Sequence, residues 1–165
     1  MNITLWFDGA CEPRNPGGVA SCGWIVEIEG NEIESGCKVV AEGQTATNNL
    51  AEWSALGLGL RWILDHQAEL PQLPEDLTGS KGLPAAMLTI RGDSQLVVNQ
   101  LKRNWACNKE HLRRLRDRCL EILAELNMNW VAEWIPREQN ERSDALSRKA
   151  YEQRTGKRFP ERVRR

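Results

Sequence analysis

The chain opens on an apolar run, Ile3-Thr4-Leu5-Trp6-Phe7, that stops at a carboxylate, Asp8. A short run of β-favouring residues with little alternation predicts a strand over residues 3–7, buried on both faces and ended by Asp8. Two further strand-like runs, 21–29 and 32–40, flank Gly30-Asn31, and that pair between such runs predicts a hairpin. The sheet therefore begins with three antiparallel strands.

The period then lengthens. After Thr47-Asn48-Asn49 the apolar content predicts a helix to about residue 64. Gly57 and Gly59 each cost that helix roughly 1 kcal/mol against Ala, which points to close approach to the sheet. Residues 65–85 carry Pro71, Pro74, Pro84, Gly79 and Gly82 and predict a long loop. A short strand over 87–90 leads into Arg91-Gly92-Asp93, and Ser94 is a candidate cap for a helix to about residue 104. The clearest helix covers 109–126, where Leu112, Leu115, Cys119, Ile122 and Leu126 share one stripe and Arg113, Arg114, Arg116 and Arg118 fall largely off it. A fifth strand over 128–135 and a closing helix over 141–151 complete a mixed α/β order, β-β-β-α-β-α-α-β-α. One domain over 1–151 and a basic tail over 152–165 follow from this reading.

Composition narrows the class. At 165 residues, with 41% hydrophobic and 27% charged residues, the chain fits one soluble domain. No apolar run is long enough to span a bilayer, and strand-like sequence starts too early for a signal peptide. Five cysteines without C-x-x-C spacing, and two histidines, predict reduced thiols in a cytoplasmic protein and no structural zinc. The net charge of −1 conceals an asymmetry: residues 1–101 hold 5 Lys/Arg against 13 Asp/Glu, and residues 102–165 hold 17 against 10. That division suits an acidic, cation-binding centre beside a basic surface.

Four carboxylates stand where such a centre would form. Asp8 and Asp93 end strands, the usual ligand position in open α/β sheets. Glu52 lies early in its helix and shares a face with Ala55, Leu56, Gly59 and Ile63, so it needs a partner or a metal when buried. Asp144 opens the closing helix. Singly, each is as readily a cap or a structural ion-pair member. Together they suggest a site for hard cations such as Mg²⁺ or Mn²⁺.

At this point the chain resembles type 1 ribonuclease H (ribonuclease HI), in its bacterial or archaeal form. The resemblance rests on Asp8-Gly9-Ala10, Thr47-Asn48-Asn49-Leu50-Ala51-Glu52, Gly92-Asp93-Ser94-Gln95 and Asn140-Glu141-Arg142-Ser143-Asp144, in family order over about residues 1–150. It implies the ribonuclease H-like fold: a five-stranded mixed sheet, its first three strands antiparallel, flanked by helices. It also implies the chemistry: a monomeric endonuclease that cuts the RNA strand of RNA/DNA hybrids, leaving 5′-phosphate and 3′-hydroxyl ends, with double-stranded RNA as a second candidate substrate. Two Mg²⁺ ions, or Mn²⁺ in their place, would be held by Asp8, Glu52, Asp93 and Asp144. Substrate contacts are implied for Gly9, Cys11, Asn15, Thr47, Asn48, Asn49 and Gln95, and for Trp105 against the DNA backbone, although Trp105 also reads as a core residue. Asn48 doubles as a helix cap.

The sequence departs from that family at one catalytic position. Well-studied bacterial members carry a histidine before the last helix, whereas the segment Trp134-Ile135-Pro136-Arg137-Glu138-Gln139-Asn140 has none. Arg137 is the candidate substitute, able to hold a phosphate but not to act as a base near neutral pH. A non-catalytic hybrid- or double-stranded-RNA-binding module on the same fold is the alternative. A related exonuclease is a third, disfavoured because Asp8-Gly9-Ala10 lacks the Asp-x-Glu of that group.

Overall fold

The computed structural model describes residues 1–70 and 86–161. Residues 71–85 of the expected long loop, and 162–165 at the end of the expected tail, lie outside the described residues. The elements are β1 (Asn2–Glu12), β2 (Val19–Ile28), β3 (Asn31–Glu42), α1 (Asn48–His66), β4 (Met87–Gly92), α2 (Gln95–Leu101), α3 (Glu110–Leu126), β5 (Asn129–Trp134) and α4 (Glu141–Thr155). The sheet order is β3-β2-β1-β4-β5. β1, β2 and β3 pair antiparallel, and β4 and β5 join in parallel. The α/β class and the five-stranded mixed sheet agree with the pattern of the sequence.

Ile3, Leu5 and Phe7 of β1 are completely buried, together with Leu88 and Ile90 of β4 and Trp53, Leu56, Leu60 and Ile63 of α1. Each such side chain contributes roughly 1.5–3 kcal/mol on burial, which is why β1 takes the centre of the sheet. Successive strand residues face opposite ways. Gly9 of β1 meets α1, whereas Asp8 bonds to Ser147 and Ala10 packs on Tyr151, both on α4. Helices α1 and α4 therefore cover opposite faces.

The structure revises several boundaries. β1 does not end at Asp8 but runs on to Glu12, because β2 continues to pair with it as far as Val19. The hairpin turns on Glu29-Gly30, both at positive φ (50° and 80°), rather than on Gly30-Asn31. The α1 cap is Thr47, whose side chain accepts from the Leu50 amide, so Asn48 and Asn49 lie inside the first turn. Ser94 caps α2 as expected, but the helix stops at Leu101. A Cβ on Gly59 would meet Leu5 Cδ1 at 2.3 Å, so the close approach falls there, and Gly57 faces only Cys119 Sγ at 3.6 Å. Helix α4 continues past residue 151 to Thr155. Phe159 then folds back against Tyr151 with ring centroids 5.3 Å apart, its amide donating to Glu152. The apolar contact of Phe159 thus draws residues 152–159, expected as tail, into the packed body.

Candidate active site

Strand register explains how a charge can stand in the middle of β1. The parallel neighbour β4 stops at Gly92, opposite Phe7, while β1 continues against β2 alone. Asp8 is thus the first residue of β1 past the end of β4, and Asp93 is the first residue after β4. Glu52 arrives from α1, whose backbone lies directly on Gly9: a Cβ there would sit 2.3 Å from the Glu52 nitrogen and 2.4 Å from the Ala51 carbonyl carbon. Asp8, Glu52 and Asp93 each bring one carboxylate oxygen to within 4.8 Å of the others. Asp8 and Glu52 are buried and Asp93 is half-buried.

This gathering is electrostatically unfavourable on its own. Burial, and next the neighbouring Asp93 charge, push the Asp8 carboxyl from 3.8 up to about 7. The bond from Ser147 and the charge of Arg137 pull the other way without cancelling the rise. Three oxygen donors with surplus negative charge suit a hard divalent cation, so the residues present fit the metal chemistry.

Asp144 stands apart from this triad. Its carboxylate is gripped by Arg137, with Nη2 2.7 Å from Oδ1, and paired with Arg148, whose Nε lies 2.7 Å from Oδ2. Arg137 reaches the centre from the short turn Arg137–Gln139, between β5 and α4. Of the four expected ligands the structure gathers three, and it holds the fourth on two guanidinium groups at the entrance of α4.

Three residues support the centre that the sequence reading did not single out. Asn140 is 1% exposed, and its amide donates to the Phe7 carbonyl at 2.9 Å and to Asp93 Oδ1 at 3.3 Å while Ser143 donates to its oxygen. It therefore ties β1, Asp93 and the start of α4 together. Trp134 donates its indole N–H to the Asp93 carbonyl at 3.1 Å. Ser147 donates to Asp8 Oδ2 at 2.6 Å. A signal for the serines existed: Ser143, Ser147, Ala150 and Tyr151 form the buried stripe of α4, and hydroxyls on a buried stripe require partners.

The expected substrate contacts divide. Asn15 is exposed, and its side-chain oxygen accepts from the Asn48 amide at 3.0 Å, joining the loop after β1 to the α1 N-terminus. Thr47, Asn48 and Asn49 are half-buried there, and Gln95 is exposed in the first turn of α2, beyond Asp93. Gly9 is buried under α1. Cys11 is 3% exposed: its thiol points into a small cluster with Ala20, Ala46 and Ala51 and donates to the Arg14 carbonyl at 3.1 Å. The extension of β1 places it inside the fold, where its thiol braces the loop after β1. Trp105 is not a core residue but 48% exposed, beside Arg103, Asn104 and Arg116 in an open depression of about 570 Å³.

A carboxylate centre at this step of a 3-2-1-4-5 mixed sheet defines the ribonuclease H-like class. Comparison with known proteins agrees. Residues 80–150 match the family described as "Reverse transcriptase-like". The chain is 34% identical over 149 residues to the ribonuclease HI of Halobacterium salinarum, covering 90% of this chain and 63% of that relative. It thus spans under two thirds of that curated relative's length. The crystal structure of RNase H1 from the same archaeon matches with a TM-score of 0.71 at 33% identity, over 93% of this chain and 99% of that one. The LC11-RNase H1 structure in complex with RNA/DNA hybrid matches with a TM-score of 0.74 at 26% identity, over 92% and 98%. The chain belongs to the type 1 ribonuclease H family.

Proposed function

We propose that this chain is a metal-dependent endoribonuclease that cleaves the RNA strand of RNA/DNA hybrids, leaving 5′-phosphate and 3′-hydroxyl ends. The observation that carries this reading is the convergence of Asp8, Glu52 and Asp93 where β1 outruns β4. Asp8, Glu52 and Asp93 would hold Mg²⁺, with Mn²⁺ as substitute, and Asp144 would complete the ligand set of a second ion beside Asp8. When bound, two such ions supply Lewis-acid activation of the attacking water and stabilisation of the leaving 3′ oxygen.

The remaining roles belong to the protein. Asn48 and Gln95 offer amides that can both donate to and accept from a 2′-hydroxyl, the group that separates RNA from DNA. Asn15, Thr47 and Asn49 line the α1 N-terminus, where backbone amides favour a DNA phosphate. Trp105, exposed beside Arg103 and Arg116, offers a flat apolar face and positive charge to the DNA backbone. The working unit is a monomer with residues 1–159 as its ribonuclease H domain, acting in the cytoplasm. Its five cysteines are free thiols, and no described helix is long and apolar enough to cross a membrane.

The test is direct. Incubated with matched RNA/DNA, RNA/RNA, DNA/DNA and single-stranded RNA, the protein is expected to make internal cuts in the RNA of the hybrid with Mg²⁺ or Mn²⁺, and none with chelator. Binding without cutting would instead assign a binding module, and end-wise degradation an exonuclease.

Arg137 takes the place of the missing histidine as a phosphate-holding group. The same guanidinium competes with a cation for Asp144, since it already bonds that carboxylate. Arg137→Ala is therefore expected to slow turnover by about 10- to 100-fold, in line with losing one charge-stabilising donor. It should also tighten Mn²⁺ binding measured by calorimetry. Unchanged single-turnover cleavage and product release would remove Arg137 from the mechanism.

A further inference from the structure

We propose that Ser147 is the positioning residue of Asp8, brought to it by the seating of α4 on Gly23; this rests on Asp8 being a metal ligand. The chain of contacts begins in the sheet register, where Asp8 of β1 stands opposite Gly23 of β2. A Cβ on Gly23 would lie 2.5 Å from Leu146 Cβ, 2.7 Å from the Ser143 carbonyl oxygen and 2.8 Å from the Ser147 nitrogen. Those separations belong to a helix backbone resting on the strand itself, an approach open to glycine alone. The helix comes so near at that point that a side chain as short as serine spans the gap to the neighbouring strand.

The bond itself is selective. The Ser147 hydroxyl is fully buried and has one proton, with two acceptors in reach: Asp8 Oδ2 at 2.6 Å and the Asp144 carbonyl at 2.9 Å. A helical serine ordinarily sends its proton to a carbonyl three or four residues back. Here the shorter contact is to the carboxylate, within the range of charge-assisted O–H···O⁻ bonds. A carboxylate offers about four lone-pair sites. One is spent on Ser147, which locks the rotation of the group and leaves the others directed to a cation. Ser147 follows Asp144 by three residues, so one rigid helix both carries Asp144 and sets the orientation of Asp8. Removing an outer-shell partner of this kind typically lowers metal affinity or activity by roughly 10- to 100-fold.

Calorimetric titration of the metal-free full chain with Mn²⁺, wild type beside Ser147→Ala, tests the proposal. Alanine preserves the helix, being the stronger helix former, and removes only the hydroxyl. The expected result is Mn²⁺ affinity weakened roughly 10- to 100-fold with an unchanged far-ultraviolet circular dichroism spectrum. In hybrid cleavage, the Mn²⁺ concentration for half-maximal rate should rise by a similar factor while KM for the hybrid stays within about threefold, a split that general destabilisation would not produce. Should Ser147→Ala fail to fold, Ser147→Cys, similar in size and a much weaker donor, carries the same comparison. Wild type that binds Mn²⁺ beside a folded variant of equal affinity overturns the positioning role and leaves the metal centre standing. Wild type that binds no Mn²⁺ overturns the metal reading itself, and this proposal with it.

Discussion

Asp8→Asn is expected to abolish hybrid cleavage and, in the absence of metal, to make the protein more stable at pH 8. The sign follows from proton counting. In the unfolded chain the Asp8 carboxyl ionises near 3.8, whereas in the folded protein burial and then Asp93 raise it to about 7. Between those values the folded state binds more protons than the unfolded state, so metal-free stability falls as pH rises through that window. Each unit is worth about 1.4 kcal/mol, so a rise of this size penalises the ionised wild type above pH 7 by at most on the order of 4 kcal/mol. The neutral amide escapes this penalty.

Urea denaturation with chelator present, at several pH values between 4 and 8, checks the prediction. Wild type and Asp8→Asn should be nearly equal in stability near pH 4 and diverge toward pH 8. Saturating Mg²⁺ should flatten the wild-type dependence, because a bound cation stabilises the folded state and favours the ionised ligand. Parallel pH profiles for the two proteins without metal would show that Asp8 is not held in a strained ionic state.

Gly9→Ala is expected to be strongly destabilising and to disturb the site as well. Its new Cβ would stand 2.3 Å from the Glu52 nitrogen, 2.4 Å from the Ala51 carbonyl carbon and 2.8 Å from Ala51 Cβ. The first two are backbone atoms, so no side-chain rotation can make room. Helix α1 must withdraw from β1, loosening the packing of Trp53, Leu56, Leu60 and Ile63 on Ile3, Leu5 and Phe7. Overpacking of this kind costs about 3 kcal/mol or more. Glu52 moves with the helix, so Mn²⁺ affinity should fall along with the urea midpoint. An alanine variant of wild-type stability would mean that α1 has slack against β1 that these separations exclude.

Both effects depend on β1 running through the site instead of ending there. The strand over residues 3–7 was legible from its β-favouring residues, but its burial is one-sided there: Ile3, Leu5 and Phe7 are completely buried, whereas Thr4 and Trp6 on the opposite face are half-buried. The strand's continuation to Glu12 was not legible, since Gly9, Ala10 and Cys11 are small residues chosen by what lies across from them: α1 at Gly9, α4 at Ala10, and the small cluster around Ala46 and Ala51 at Cys11. Trp105 erred in the opposite direction. A large aromatic suggests a core position, yet α2 ends at Leu101 and leaves Trp105 in the connection to α3, exposed beside Arg103.

Asp144 shows the same boundary within the site. Its place at the start of the last helix was legible from Asn140-Glu141-Arg142-Ser143-Asp144, whereas its engagement by Arg137 and Arg148 depends on how the turn before α4 folds over it. The order of strands and helices, the helical stripes, and the four acids Asp8, Glu52, Asp93 and Asp144 could be read along the chain, because these follow from periodicity and from residue chemistry over a few neighbours. The tertiary structure alone decided which of those acids meet, through the parallel register that ends β4 opposite Phe7 and the glycines that admit α1 and α4 to the sheet. Convergence of that kind depends on pairings between residues far apart in the chain, such as Asp8 with Ser147, and no local pattern records the distance between them.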